Sequence, residues 1–348
     1  MRETLTITRP DDWHLHLRDG AALEAVVGHS ARVFSRAIVM PNLPEPVTTV
    51  AAAASYRARI LSACARQGIT GFTPLMTLYL TDETSLEEIA EARASGFVHG
   101  VKLYPAGATT NSARGVTAIE RVLPVLAAMA EHDLPLLVHG EVTDPDVDVF
   151  ARERVFLERV LAPLVAQLPR LRVVLEHVTT AAGVAFVRQA RTGVAATITA
   201  HHLLSTRNDM LVGGLKPHLY CLPVLKRAED RRALVEAATS GDPRFFLGTD
   251  SAPHPRAGKE AACGCAGCYT AHAALELYAE AFAQAGALAQ LEGFASHHGA
   301  DFYGLPRSTG RVTLERASWT APDSYPFGQD VVVPYRAGAA IDWRVVDG

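Results

Sequence analysis

Asp12-Trp13-His14-Leu15-His16-Leu17 is a short apolar run carrying two histidines spaced two residues apart. In an extended strand, side chains at i and i+2 point to the same face, so His14 and His16 project side by side. Taken alone, such a pair is more often a surface or core feature than a metal site. Recurrence decides the reading. Four later apolar runs also end in a side chain that can hold a metal or be activated: Lys102, His139, His177 and Asp250. Five strand ends meet at one point when parallel strands share an end, so the pattern bears on fold and chemistry together.

Working outward, eight β-type runs can be counted, at 12–17, 36–40, 71–78, 101–104, 135–139, 172–177, 195–199 and 244–250. Helical patterns lie between them, as at 49–65, 85–94, 118–132, 152–168, 181–189 and 228–240. Eightfold strand–helix alternation predicts an α/β fold, a (β/α)8 TIM barrel, whose C-terminal rim would gather the five strand ends. An open doubly wound sheet is the competing geometry, but no Gly-x-Gly-x-x-Gly phosphate turn supports it. The long stretches 200–243 and 251–270 flank the eighth run and are expected to shape a rim pocket. Helix-like stretches follow at 271–285 and 290–298. Residues 1–348 read as one barrel domain, with 308–348 a short, packed C-terminal extension.

Composition narrows the function classes. Of 348 residues, 49% are hydrophobic, enough for a large core. The net charge of −4 and the lack of a basic run make nucleic acid an unexpected partner. Met1 to Pro10 carries charges and threonines and no apolar core, so no signal peptide is expected. No apolar run is long enough for a membrane span. Five cysteines, an odd number in an acidic chain, point to reduced thiols and a cytoplasmic location.

Histidines with a carboxylate suit zinc or a similar transition metal. His14 and His16 with Asp250 would hold one ion, and His139 with His177 a second. A single histidine such as His139 or His177 is more readily read as a buried, hydrogen-bonded side chain than as a ligand; four together at strand ends are not. Asp250 could also be an ordinary helix N-cap in its Thr-Asp-Ser-Ala-Pro context. Lys102 is the odd member, because an ammonium beside zinc is costly to bury. Two readings remove the conflict. It could be a Schiff-base lysine in a metal-free aldolase, or its neutral amine could take up carbon dioxide to form an anionic carbamate that bridges two ions. The histidines favour the carbamate. Cys263, Cys265 and Cys268, with Cys221 from another loop, could hold a structural metal. Their spacing departs from a paired Cys-x-x-Cys knuckle, so reduced thiols in a tight turn are the favoured reading. Cys64 lies on a helical segment and is expected in the core.

The motifs Trp-His-Leu-His-Leu-Arg-Asp-Gly (13–20), Met-Pro-Asn (40–42), Val-Lys-Leu-Tyr-Pro (101–105), Val-His-Gly-Glu (138–141), Glu-His-Val-Thr-Thr (176–180) and Gly-Thr-Asp-Ser-Ala-Pro-His (248–254) resemble the amidohydrolase superfamily. More narrowly they resemble its short bacterial and fungal dihydroorotase family, from about residue 9 to about 306. The resemblance implies two zinc ions per subunit, bridged by N6-carboxylated Lys102 and hydroxide. It implies reversible, zinc-dependent cyclisation of N-carbamoyl-L-aspartate to L-dihydroorotate in pyrimidine synthesis. Asp250 would be both ligand and proton shuttle. By resemblance, Arg18, Asn42 and His254 bind the substrate carboxylate with the backbone N–H of Ala266, and the backbone at Leu222 contacts the ring amide. Thr109 and Thr110, in the small-residue loop 105–115, would reach the substrate when that loop closes. A homodimer is also implied. Blander readings exist for the substrate contacts: an ion pair of Arg18 with Asp19 or Asp11, a turn role for Asn42, a solvated His254 and a solvated 105–115 connector. A hydantoinase or allantoinase is the alternative within the same chemistry, and a non-catalytic zinc-binding scaffold the alternative outside it.

Overall fold

A computed structural model describes residues 3–347; Met1, Arg2 and Gly348 of the expected domain lie outside the described residues. The strands are β1 (Thr4–Thr8), β2 (Asp12–Leu15), β3 (Arg36–Val39), β4 (Thr73–Tyr79), β5 (Val98–Leu103), β6 (Leu136–His139), β7 (Val173–Glu176), β8 (Val194–Ile198) and β9 (Phe245–Leu247). They are followed by β10 (Arg311–Thr320), β11 (Tyr325–Phe327), β12 (Asp330–Val332) and β13 (Ala340–Asp347). Strands β2 to β9 form one parallel sheet in sequence order, and helices alternate with them. The sheet curls back on itself. Asp250 N donates to His14 O at 2.9 Å, and Leu15 bridges Ser251 in parallel. This is the (β/α)8 barrel that the alternation predicted.

Several boundaries differ from the sequence reading for local reasons. β5 starts at Val98, because Gly100 interrupts the apolar pattern without ending the strand. A Cβ there would sit 3.0 Å from Leu137 Cδ1, so the glycine lets two strands pack closely. The expected helix at 152–168 is broken by a π-turn at Leu157–Leu161, just before Pro163, which has no N–H to donate. The expected helical stretch 290–298 is helical, but it carries a π-turn at Gly293–His297 and runs on into a helix at His298–Tyr303.

That last helix plugs the barrel. Ile38, Leu75, Leu137, Val174, Ala195 and Phe246 share one buried cluster with Trp13 and Tyr303. Trp13 and Tyr303 stack with centroids 4.6 Å apart and planes 8° from parallel. A Cβ on Gly299 would lie 2.0 Å from Trp13 Nε1, so only glycine lets the helix seat there. The end opposite the strand exits is thus filled with apolar side chains, and polar chemistry is confined to the other rim.

The mixed-looking tail pairs with the N-terminus, a pairing between chain ends that local patterning could not show. β10 lies between β1 and β13 in a three-stranded antiparallel sheet, with Ile7, Val312, Leu314, Ile341 and Trp343 buried.

Asp12 fastens the seam where the barrel closes. Its Oδ1 accepts from His14 N at 3.1 Å and Thr249 N at 2.9 Å, and its Oδ2 accepts from Thr249 Oγ1 at 2.6 Å. Burial pushes its carboxyl up to about 7. Asp12→Ala strands three donors in the interior, so it should cost about 2–3 kcal/mol of stability, read as an earlier denaturant midpoint. A midpoint equal to wild type would show that the seam does not depend on this carboxyl.

Candidate metal centre and substrate pocket

The residues singled out from the sequence meet at the C-terminal rim. His14 Nε2 and His16 Nε2 lie 3.3 Å apart, and Asp250 Oδ1 lies 3.3 Å from the first and 3.1 Å from the second. Ligand atoms about 2.0–2.2 Å from a tetrahedral ion stand about 3.3–3.5 Å from one another, so this triangle fits a zinc-sized cation. A second group follows, in which donor atoms of His14, Glu176 and His177 lie within 4.8 Å of one another. The His139 and His177 rings are 4.9 Å apart. His139 Nε2 lies 2.9 Å from Glu141 Oε2, which leaves Nδ1 for an ion, the usual arrangement when a carboxylate orients a ligating imidazole. His177 Nδ1 is buried with no hydrogen-bond partner among the described residues. These donors fit bound metal.

The backbone explains how neighbouring positions reach one place. Val174 lies in the barrel interior and Glu176 follows two residues later on the same face. His177 would then point outward. It has φ +41°, which turns it away from strand geometry, while Thr197 Oγ1 accepts from its N–H at 2.7 Å. Asp250 (φ +45°) and Arg18 (φ +58°) share that left-handed conformation. It is uncommon in residues other than glycine and is tolerated where the surroundings over-determine it. Glu153 helps, accepting from the N–H and hydroxyl groups of both Thr179 and Thr180 just after His177.

Lys102 is fully buried on β5, and its Nζ donates to Glu176 Oε2. Glu176 Oε1 is 3.1 Å from His14 Nδ1. Burial pulls the Lys102 ammonium down from its ordinary value, against the pull of Glu176. Burial pushes the His16 imidazolium down to about 4, and burial with Lys102 pushes His177 well below its usual range, so both are neutral, the form that ligates metal. His14 goes the other way: burial would lower it, but Glu176 and Asp250 raise it to about 9. Burial works against the Asp250 carboxylate, yet His14 and His16 hold it well below its usual value.

The pocket above these groups is lined by Arg18, Asn42, Thr109, Thr110, Leu222 and Ala266 together with the histidines and Asp250. Arg18 Nε donates to Pro253 O at 2.9 Å, and its Nη2 is 2.9 Å from His254 Nε2. His254 sits behind Arg18, 3.0 Å from Ala266 O, and burial with Arg18 beside it pushes its imidazolium down to about 2. Partly exposed Asp19 pairs with Arg59 and buried Asp11 with Arg36, so neither carboxylate takes Arg18. The 105–115 loop is folded onto the site. Asn42 Nδ2 donates to Thr110 O at 3.3 Å, Asn111 Nδ2 donates to Asn42 O at 3.1 Å, and Tyr79 OH donates to Asn111 O at 3.3 Å.

Three site residues escaped the sequence reading. Glu176 was quoted in a motif without a role, although alternation from Val174 points it inward. Glu141 stands two residues beyond His139. Tyr104, two residues beyond Lys102, lines the pocket with a buried hydroxyl that has no partner among the described residues. The cysteines divide. Cys263 is exposed and Cys265 partly so, whereas Cys64, Cys221 and Cys268 are buried. Lys259 Nζ holds the cysteine turn through Tyr220 O, Cys265 O and Gly267 O at 2.6, 2.8 and 2.8 Å.

Comparison with known proteins agrees with this geometry. The model of the amidohydrolase family matches residues 8–317. The chain belongs to the amidohydrolase family. It is 64% identical over 344 residues to a dihydroorotase of Alkalilimnicola ehrlichii, covering 99% of this chain and 100% of that one. It is likewise 64% identical over 347 residues to the dihydroorotase of Methylobacillus flagellatus, covering both in full. The crystal structure of Campylobacter jejuni dihydroorotase superposes with a TM-score of 0.91 at 38% identity, covering 99% of this chain and 98% of that one. Within the amidohydrolases, therefore, the chain is a member of the dihydroorotase family. An L-hydantoinase of Arthrobacter aurescens, at 17% identity and a TM-score of 0.80, shares the fold.

If the triangle of donors holds an ion, deleting one corner leaves two. His16→Ala should remove about one metal equivalent per chain, measured by elemental analysis after exhaustive dialysis. Unchanged metal content would remove His16 from the ligand set.

Proposed function

We propose that this chain interconverts N-carbamoyl-L-aspartate and L-dihydroorotate at a two-zinc centre held by His14, His16, Lys102, His139, His177 and Asp250. One observation carries the reading: a metal-fitting donor set lies beneath a pocket whose wall presents Arg18, backed by His254. A cation placed over a hydrolytic centre selects a cyclic amide that also bears a carboxylate. The Saccharomyces cerevisiae dihydroorotase, 34% identical with a TM-score of 0.90 and covering 99% of this chain and 98% of that one, was solved in complex with 5-fluoroorotic acid, a ring of that kind.

Bound zinc supplies a water of lowered pKa and polarises the ring carbonyl. The protein does the rest. Asp250 Oδ1 takes the water's proton and delivers it to the leaving ring nitrogen; in the synthetic direction it removes a proton from the carbamoyl nitrogen. Arg18, Asn42, His254 and the Ala266 backbone N–H hold the substrate carboxylate, and the Leu222 backbone orients the ring amide. Thr109 and Thr110, on the loop folded over the pocket, exclude water. As its carbamate, Lys102 would supply an anionic oxygen donor to the metal centre. The neutral amine attacks carbon dioxide, forming the N–C bond and releasing one proton. Burial favours the neutral amine, and Glu176 is placed to receive the ammonium proton. This reading includes the homodimeric, cytoplasmic setting that the family resemblance implies. Among the described residues no helix is long and apolar enough to cross a membrane.

Two expectations separate the roles. Lys102→Ala should abolish turnover and weaken the second ion, and small carboxylic acids should restore part of the rate by replacing the carbamate. Carbon-13 NMR of zinc-loaded wild type in labelled bicarbonate should show a carbamate resonance that the variant lacks. A free ammonium at Lys102 in the fully loaded enzyme contradicts the bridge. Arg18→Ala should cost about 2–5 kcal/mol in kcat/KM for L-dihydroorotate, roughly 30- to 4,000-fold, and far less for a dihydropyrimidine without the carboxylate. An unchanged ratio between the two substrates would mean that Arg18 does not read the carboxylate.

A further inference from the structure

Outside the pocket, His201, Cys221 and Cys268 form a second cluster of metal-binding side chains, their donor atoms all within 4.8 Å of one another. All three are buried. His201 is the unusual member. It has no exposed surface, and neither of its ring nitrogens has a hydrogen-bond partner among the described residues. Buried polar groups are almost always hydrogen-bonded, because leaving one unpaired is costly, so an imidazole with two idle nitrogens asks for a ligand. Its neighbour His202 is already satisfied. Thr199 Oγ1 lies 2.7 Å from its Nδ1 and Pro223 O lies 3.0 Å from its Nε2. The thiols are held only weakly, Cys221 Sγ at 3.3 Å from Pro223 O and Cys268 Sγ at 3.5 Å from His218 O. Around them Met210, Val224 and Leu225 form an apolar shell that excludes competing water.

We infer that His201, Cys221 and Cys268 form a third metal site, for a thiophilic cation of the zinc(II) or copper(I) class. Two thiolates and one imidazole are a soft donor set, distinct in kind from the nitrogen and oxygen donors of the catalytic centre. Zinc–sulfur and zinc–nitrogen bonds are about 2.3 and 2.0–2.1 Å, so the donors need to close by roughly 1 Å around the ion, within reach of side-chain rotation. The Lys259 ammonium, anchored on Cys265 O and Gly267 O of the same turn and on Tyr220 O beside Cys221, places a cation next to this donor set, while the Cys268 thiol and burial keep Cys221 protonated until a metal displaces the proton. This trio is not the four-cysteine set considered from the sequence. Exposed Cys263 is outside it, and a histidine from the helix Ala200–Leu204 takes its place.

The position gives the site a consequence. Cys221 precedes Leu222, and Cys268 follows Ala266 and Gly267, all pocket-lining residues. A cation there ties the segment after β8 to the segment after β9 and fixes two walls of the substrate pocket.

Sulfur provides a readout independent of catalysis. Metal-free protein is titrated with cobalt(II) and, separately and anaerobically, with copper(I). At least one ion should give thiolate-to-metal charge-transfer absorption, which the catalytic donors cannot produce. That band should persist in Cys263→Ser/Cys265→Ser, disappear in Cys221→Ser/Cys268→Ser, and require about tenfold or more metal in His201→Gln. No such band in wild type with either ion overturns the site, as does a band that survives loss of Cys221 and Cys268. If the buried double variant fails to fold, the Cys263→Ser/Cys265→Ser protein decides alone: a retained band supports the site and a lost band overturns it.

Discussion

A lysine buried without solvent inside a barrel mouth sets the terms for everything around it. Lys102 has no exposed surface, and its ammonium is balanced by Glu176, which also faces His14. An unpaired charge there would cost several kcal/mol, so the chain must either keep the Lys102–Glu176 pair or convert the amine to an anion and match it with cations. The surrounding imidazoles suit the second state. His16 and His177 are held neutral by burial and Asp250 is held ionised, as ligands require, whereas His14 is raised to about 9 by Glu176 and Asp250 and must give up its proton to an ion. Glu176 is then the group that lets one lysine occupy the interior in either state.

The barrel exists in a form that makes this possible. Its seam closes through Asp250 N to His14 O, so the two residues that complete the sheet are also two corners of the first donor triangle. Asp12 clamps both sides of the seam from beneath. Packing at the far end, where Trp13 stacks on Tyr303, fixes β2 from the other direction. Stability and site geometry therefore draw on the same few contacts. The left-handed backbones of Arg18, His177 and Asp250 show where the fold bears local cost to aim side chains into the pocket.

Much of this was legible in the residues because it depends on short-range pattern. Eight apolar runs located all eight barrel strands, and the five that carry His, Lys or Asp towards their ends located the donors. What stayed hidden depended on contacts distant in sequence. The pairing of β1 with β10 and β13 joins the two ends of the chain, and no local periodicity encodes it. Glu176 was passed over because it precedes a more conspicuous histidine, although period-two alternation from Val174 identifies it as inward-facing. His201 was invisible as a metal donor, since its proximity to Cys221 and Cys268 exists only after three separate segments have folded together.

The most direct test of the catalytic account is a paired assay of purified, metal-quantified protein with L-dihydroorotate and with hydantoin at equal concentrations. The account predicts at least two zinc equivalents per chain and turnover of L-dihydroorotate with a kcat/KM at least tenfold above that for hydantoin, because Arg18, backed by His254, pairs with a carboxylate that hydantoin lacks. Equal or faster turnover of hydantoin, or full dihydroorotate turnover by protein shown to contain no metal, would contradict it.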